Sequence, residues 1–196
     1  MCGIAGYFNP DQNYAENPKQ NFHTLSRMIN TMNHRGPDTY GHTIINSCCL
    51  AHTRLSIIDL ENGRQPMSYT KDGNTYYIVY NGEIYNYKEV KKTLLRKNYT
   101  FETNSDTEVI IAAFCHYGPG FVKELNGIFA IAIYDSMRNT LYLYRDRFGV
   151  KPLYYTKTGD TLVFASRIDT LFEYPRVRPC IDMNSFNEIF SLGPAE

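Results

Sequence analysis

Seven short runs rich in Tyr, Ile, Val and Thr, at 3–8, 43–51, 75–80, 128–135, 140–145, 153–156 and 161–165, have the β-branched and aromatic content of strands. So many short strands constrain the fold more than any other feature. They come in clusters, and the helical stretches fall in runs between them at 23–33, 86–97, 106–117, 168–174 and 184–190. That grouping points to a layered α+β sandwich with mostly antiparallel sheets, not to a parallel sheet built from repeated βαβ units. Two helices carry start signals. Asn86-Tyr87-Lys88-Glu89 and Ser105-Asp106-Thr107-Glu108 each place a capping side chain three residues before a Glu that can reach back to an unpaired amide.

The chain has 196 residues, 43% of them apolar, which suffices for one domain with an ample core. No internal repeat or low-complexity tract divides it. After Glu173-Tyr174-Pro175-Arg176-Val177-Arg178-Pro179 the composition turns connector-like, so residues 1–196 are expected to form one domain with 175–196 leading toward a further one. Twenty basic side chains balance twenty acidic ones, which gives no reason to expect a nucleic acid or a membrane surface as partner. The five cysteines are odd in number, include the adjacent pair Cys48 and Cys49, and lack C-x-x-C spacing. Neither a disulfide framework nor a zinc site fits that pattern, and a reducing cytoplasm does. No secretory leader or membrane-length apolar run is present, and neither glycine-rich nucleotide-binding motif occurs.

Chemistry enters at the second residue. The chain begins Met1-Cys2-Gly3-Ile4-Ala5-Gly6-Tyr7-Phe8, and loss of Met1 would leave a thiol and a free α-amine on one residue. An α-amine ordinarily titrates near about 7.7 to 8.0, so a fraction of it is a neutral base at neutral pH and can serve the thiol without a histidine. The alternative is that a small second residue merely permits methionine removal while Ile4 and Tyr7 pack in a strand. The five histidines make a Cys–His pair arithmetically possible, but none stands in a recognisable context for one.

Other polar clusters lie beside strand ends. Arg54, in His52-Thr53-Arg54-Leu55-Ser56-Ile57-Ile58, can offer a fork to a carboxylate or sit in a surface ion pair. In Tyr80-Asn81-Gly82-Glu83-Ile84-Tyr85-Asn86 a strand runs into an Asn-Gly step, which is a frequent hairpin turn and also a way to aim two donors at a developing oxyanion. Asp106, at a helix start, favours the helix dipole or pairs with an ammonium, with Glu83 as a second acceptor. The alternating charges of Arg145-Asp146-Arg147-Phe148-Gly149-Val150-Lys151 suggest a structural ion-pair network or an interface. In His34-Arg35-Gly36-Pro37-Asp38, Gly-Pro ends a helix and Arg35 with Asp38 is expected to pin the loop.

Taken in order, M-C-G-I-A-G, H-R-G-P-D, R-L-S-I-I-D, Y-N-G-E-I-Y-N, S-D-T-E-V, L-N-G-I-F-A and R-D-R-F-G-V-K-P-L-Y-Y span almost the whole chain. The set resembles the glutaminase domain of the glutamine-hydrolysing asparagine synthetases, within the class II, or N-terminal-nucleophile, amidotransferases. The resemblance implies a four-layer αββα sandwich and hydrolysis of the glutamine side-chain amide to glutamate and ammonia through a thioester on Cys2. By similarity, Asn81 and Gly82 form the oxyanion hole, Arg54 holds the substrate α-carboxylate, and Asp106 with Glu83 holds its α-ammonium. The backbone of Leu55, Ser56, Ile57 and Ile58 lines the same pocket.

L-glutamine and a synthetase domain, normally in the same chain, are the implied partners, and a homodimer is compatible with the sequence. The glutaminase half-reaction needs no metal or organic cofactor; ATP and magnesium belong to the synthetase domain, whose S-G-G-x-D-S loop is absent from these residues. One stretch departs from the family pattern: Ala165-Ser166-Arg167-Ile168-Asp169 carries Arg for the usual Glu and Asp for the usual Lys. Three rivals remain: a non-catalytic glutamine-sensing or docking domain, an amidotransferase domain serving another acceptor, and an amidohydrolase acting on a different amide.

Overall fold

A computed structural model describes residues 2–55, 63–180 and 183. Nine strands are seen among them. Sheet A has the order β2(Thr39–Ile45), β3(Cys48–Arg54), β1(Gly3–Phe8), β9(Thr161–Ala165), β8(Tyr154–Thr158), and sheet B the order β4(Met67–Lys71), β5(Asn74–Ile84), β6(Gly127–Asp135), β7(Thr140–Arg145). Every named strand pair is antiparallel. Helices α1(Pro18–Met32) and α4(Ile168–Leu171) pack on sheet A, and α2(Tyr87–Leu95) packs on α3(Asp106–Tyr117), which covers sheet B.

Three apolar clusters define the layers. Ala5, Tyr7, Cys49, Ala51 and Val163 of sheet A meet Leu25, Met28, Ile29 and Met32 of α1. Ile78, Tyr80, Ile131 and Ile133 of sheet B meet Val109, Ile110, Ala113 and Phe114 of α3. Between the sheets, Ile4, Cys48, Leu50 and Phe164 face Val79, Ala130, Ala132 and Tyr134. Side chains alternate faces along a strand, so each sheet sends one set outward to helices and the other inward to its partner sheet. The result is the αββα order of layers. Each large apolar side chain fully buried in this way contributes roughly 1.5–3 kcal/mol before chain entropy is counted.

Several local expectations are revised. The run expected as one strand at 43–51 is a hairpin, β2 and β3, turning at Asn46-Ser47. Strand β4 was not anticipated, because its pattern of alternating half-buried and exposed residues follows a weak apolar signal. Helix α3 begins and ends as expected, with Ser105 Oγ accepting from the Thr107 N–H, while the Glu108 carboxylate accepts from the amides of Glu102 and Thr103. Asn86 makes no side-chain cap to α2; it bridges instead to the Glu124 carbonyl and the Asn126 N–H. Helix α1 starts earlier than expected, at Pro18, and α4 ends earlier, at Leu171. The helix expected at 184–190 lies outside the described residues.

Candidate active site

Strand parity continues past the dry inter-sheet core. On β3 the inward positions run Cys48, Leu50, His52, Arg54; on β5 they run Val79, Asn81, Glu83; and one step before Ile4 comes Cys2. At one end of the layer the inward side chains therefore change from apolar to polar. They line a cavity of about 210 Å³ together with Leu55, Gly63, Gln65, Tyr80, Gly82, Ser105, Asp106, Thr107 and Lys151. Cys2, Arg54, Leu55, Asn81, Gly82, Glu83 and Asp106 are all brought to this one cavity, as the sequence leads one to expect. Ser56, Ile57 and Ile58, and Met1, lie outside the described residues.

Cys2 is held on both sides. Its Sγ lies 3.4 Å from the Leu55 N–H and 3.6 Å from the Leu55 carbonyl oxygen, and its own carbonyl accepts from Arg35 Nε at 3.1 Å. Arg35 was expected to pair with Asp38. Its Nε proton goes instead to the nucleophile's residue, a contact across 33 positions that no local pattern encodes. Burial, then the charge of Arg167, lower the Arg35 pKa from its ordinary value. Arg167 itself is paired with Asp169 and with His34 Nε2, so the two departures from the family pattern neutralise each other.

The Asn-Gly step is not a turn. Asn81 and Gly82 lie within β5, opposite Ala130 and Phe129 of β6. Glycine is required here because a Cβ would lie 2.2 Å from the Ile128 carbonyl oxygen. Both backbone groups of Phe129 are taken by Asp146: its N–H donates to Oδ2 at 3.2 Å, and its carbonyl accepts from the Asp146 N–H at 2.8 Å. Gly82 and Phe129 thus form a non-hydrogen-bonded pair, and the Gly82 N–H points to the opposite edge of β5, past the end of β4. Its neighbours on that edge are capped, the Tyr80 N–H by Gln65 Oε1 at 2.6 Å and the Ile84 N–H by Asp106 Oδ2 at 3.3 Å. Asn81 is 2% exposed, and its Nδ2 has no hydrogen-bond partner among the described residues.

Asp106 accepts the Tyr80 hydroxyl at 2.8 Å in addition to the Ile84 amide. Burial raises its pKa above the ordinary carboxylate range, against the pull of those hydrogen bonds. A bound cation would relieve that. Within the Arg145–Lys151 loop the described contacts are mostly side chain to backbone, where the alternating charges suggest ion pairs. Asp146 accepts backbone N–H groups from Phe129, Phe148, Val150 and Lys151, and Arg145 donates to the carbonyls of Gly149 and Lys151. Burial opposes ionisation of Asp146, but the four amides together bring its pKa below the usual value. The loop is built to place Lys151 at the cavity.

Nothing in the local pattern singles out His52, Gln65 or Tyr80, which complete the wall. Gln65 Nε2 donates to Thr107 Oγ1 at 3.3 Å while its carbonyl caps Tyr80. Burial pushes the His52 pKa down to about 3; the Tyr80 backbone opposes that and the Arg54 charge adds to it. A wider cavity of about 790 Å³ adjoins on the far side of His52 and Gln65, and it contains none of the reactive groups. Among the described residues no cluster of three or more His, Cys, Asp or Glu is suited to a metal, and no helix is long and apolar enough to cross a membrane.

Two facing antiparallel sheets between helices, with a cysteine at the start of a central strand beside a polar inter-sheet cavity, define the architecture of the N-terminal-nucleophile hydrolases. The sequence model of the glutamine amidotransferase domain matches residues 1–196, and the chain belongs to that family. It is 40% identical over 195 residues to asparagine synthetase [glutamine-hydrolyzing] 3 of Bacillus subtilis, covering 100% of this chain and 31% of that protein. To asparagine synthetase [glutamine-hydrolyzing] 2 of the same organism it is 45% identical over 175 residues, covering 89% and 23%. The chain thus spans less than a third of the length of these relatives. The fold is similar to that of glutamine phosphoribosylpyrophosphate amidotransferase from B. subtilis, with TM-score 0.67, 19% identity, and coverage of 86% of this chain and 42% of that one.

Proposed function

We propose that this domain is a thiol glutaminase whose nucleophile is Cys2. After removal of Met1 the α-amine takes the thiol proton, and sulfur attacks the side-chain amide carbon of L-glutamine. The oxygen becomes an oxyanion received by Asn81 Nδ2 and the Gly82 N–H. Collapse expels ammonia, with the proton returned by the α-amine, and water then hydrolyses the γ-glutamyl thioester to glutamate and regenerates the thiol. Arg54 binds the α-carboxylate and Asp106 and Glu83 the α-ammonium, with Leu55 beside them on the cavity wall. Arg35, through the Cys2 carbonyl, keeps the nucleophile's residue in place.

The observation that carries this reading is the gathering of Cys2 with the buried Asn81 amide, whose Nδ2 has no partner among the described residues, and with the Gly82 N–H at the edge of β5 beyond the end of β4. Asp106, with its ionised form disfavoured by burial, is improved by a substrate ammonium. The half-reaction uses no metal or organic cofactor. The names and lengths of the relatives support a larger enzyme in which the ammonia goes to asparagine formation; use of ATP and magnesium by that further domain, and a cytoplasmic location, are part of the proposal.

Intact mass combined with a glutamine-like chloroketone or diazoketone tests the reading. Loss of Met1 and one adduct on Cys2, blocked by glutamine, together with glutamine-dependent ammonia release, is the expected result. Retained Met1, or labelling at Cys115 or Cys180 with Cys2 untouched, would overturn it. Glutamine binding without turnover would make the domain a sensor.

A further inference from the structure

Two buried side chains on the cavity wall keep a nitrogen without a well-formed hydrogen bond among the described residues: Asn81, through Nδ2, and His52, whose ring has only the Tyr80 backbone beside it as a partner for its N–H and so keeps its other nitrogen bare. The oxyanion role accounts for the first. His52 is 1% exposed, and it occupies the inward position of β3 directly between Leu50, in the dry core, and Arg54, in the polar cavity. Its register partner on β1 is Ile4, so Cys2 lies on the diagonal, at the separation of about 7–8 Å typical of such neighbours. A ligand atom lying between the two is within reach of both.

We propose that His52 is the residue that recognises the carboxamide of the substrate, accepting a hydrogen bond from the amide –NH2 and so distinguishing glutamine from its product glutamate. This inference rests on the glutaminase reading of the site. A neutral imidazole carries one N–H and one bare nitrogen. The bare nitrogen suits an amide N–H, whereas a carboxylate brings only lone pairs to it. An imidazolium would do the reverse and retain the product. Burial and the neighbouring Arg54 charge keep the ring neutral far below neutral pH, against the weaker influence of the Tyr80 backbone. A buried ring nitrogen without a protein partner costs stability, and a substrate amide N–H bonded to it recovers that cost.

The experiment compares glutamine with glutamate γ-methyl ester, which keeps the acyl group and lacks the amide N–H. In the full-length chain, His52→Leu is expected to lower the glutamine-to-ester ratio of kcat/KM by on the order of tenfold, and His52→Asn, which restores a polar acceptor, to recover most of it. An unchanged ratio in His52→Leu, with both substrates losing equally, would reduce His52 to a packing residue and overturn the proposal. A second measurement leaves His52 intact. In Cys2→Ala protein with 15N-labelled histidine, glutamine at pH 7 should shift the His52 ring resonances and glutamate should not. Equal shifts, or none with glutamine bound, would also overturn it. A wild-type protein inactive on both the amide and the ester fails earlier, at the glutaminase reading, and takes this inference with it.

Discussion

The two ends of the layer between the sheets are built from the same strands, on the same face, two residues apart. At one end Ile4, Leu50, Val79 and Phe164 interlock without a polar atom; at the other Cys2, His52, Arg54, Asn81 and Glu83 line a cavity. The apolar end gains its stability from burial alone. At the polar end, buried donors are left without partners, an arrangement that costs stability and that a domain evolved for packing alone would have replaced by apolar side chains. The contrast separates residues that hold the fold from residues that hold a ligand, although periodicity treats them alike.

Substitutions can break that contrast from either side. Cys2→Ala should abolish glutamine hydrolysis while leaving glutamine binding and the melting temperature nearly unchanged; residual turnover in a coupled ammonia assay would place the nucleophile elsewhere. Leu50→Ala, two strand steps from Arg54, should do the opposite: it should cost about 2–5 kcal/mol in urea unfolding. Its effect on kcat should be small as long as the protein is folded. Asn81→Ala should lower kcat by a factor of about 10² to 10³, the usual consequence of removing one oxyanion donor. It should also leave stability unchanged or raised, because the Asn81 Nδ2 atom has no partner to lose. If the protein unfolds instead, the polar end is structural.

Acid sharpens the same comparison with a smaller effect. The folded pKa of His52 is lowered to about 3 from the ordinary 6.5, so the unfolded chain takes up a proton that the native state refuses. The stability tied to the neutral ring is therefore complete above pH 6.5 and is lost as pH falls toward 3, by at most about 1.4 kcal/mol per pH unit. Asp146 acts in the same direction but only below the ordinary carboxylate range, whereas the raised pKa of Asp106 acts oppositely, its cost growing as pH rises through and above that range. Urea midpoints between pH 6.5 and 5 should thus fall in the wild type and flatten in His52→Leu. A wild-type slope that His52→Leu leaves intact would assign the acid sensitivity to other groups.

The smallest expected effect on catalysis is at Asp146, a further buried carboxylate. Asp146→Asn keeps an acceptor but loses the charge that four amides share, and should cost about 1–3 kcal/mol of stability. Its kcat should move little if Lys151 stays in place. A large kcat loss with unchanged stability would show that the loop serves the cavity more than the fold.

Much of the site was legible because its residues carry their own chemistry. Local rules supplied the candidates, a thiol at position 2, an acid at a helix start preceded by Ser105, and an arginine beside strand-like residues, and the resemblance to the amidotransferases chose among their readings. The Asn-Gly step shows where local rules fail: in isolation it favours a hairpin, but β6 on one side and Asp146 beyond it hold Asn81 and Gly82 extended. Asn86 was similarly diverted from its helix to a loop 40 residues away. Arg35 and His52 could not be chosen, since what distinguishes them is the Cys2 carbonyl in one case and a buried ring nitrogen left bare among the described residues in the other.

The amino-acid sequence by itself determined most of the segments that extend or coil, and which side chains are chemically able to attack, donate or pair. Those properties depend on a residue and its near neighbours. Only the tertiary structure decided which polar groups would be left unengaged, because that depends on how sheet A is set against sheet B and on where β4 stops short of Gly82. Hydrogen bonding is short-ranged and directional, so a donor's availability is settled by atoms that lie far away along the chain and adjacent in space.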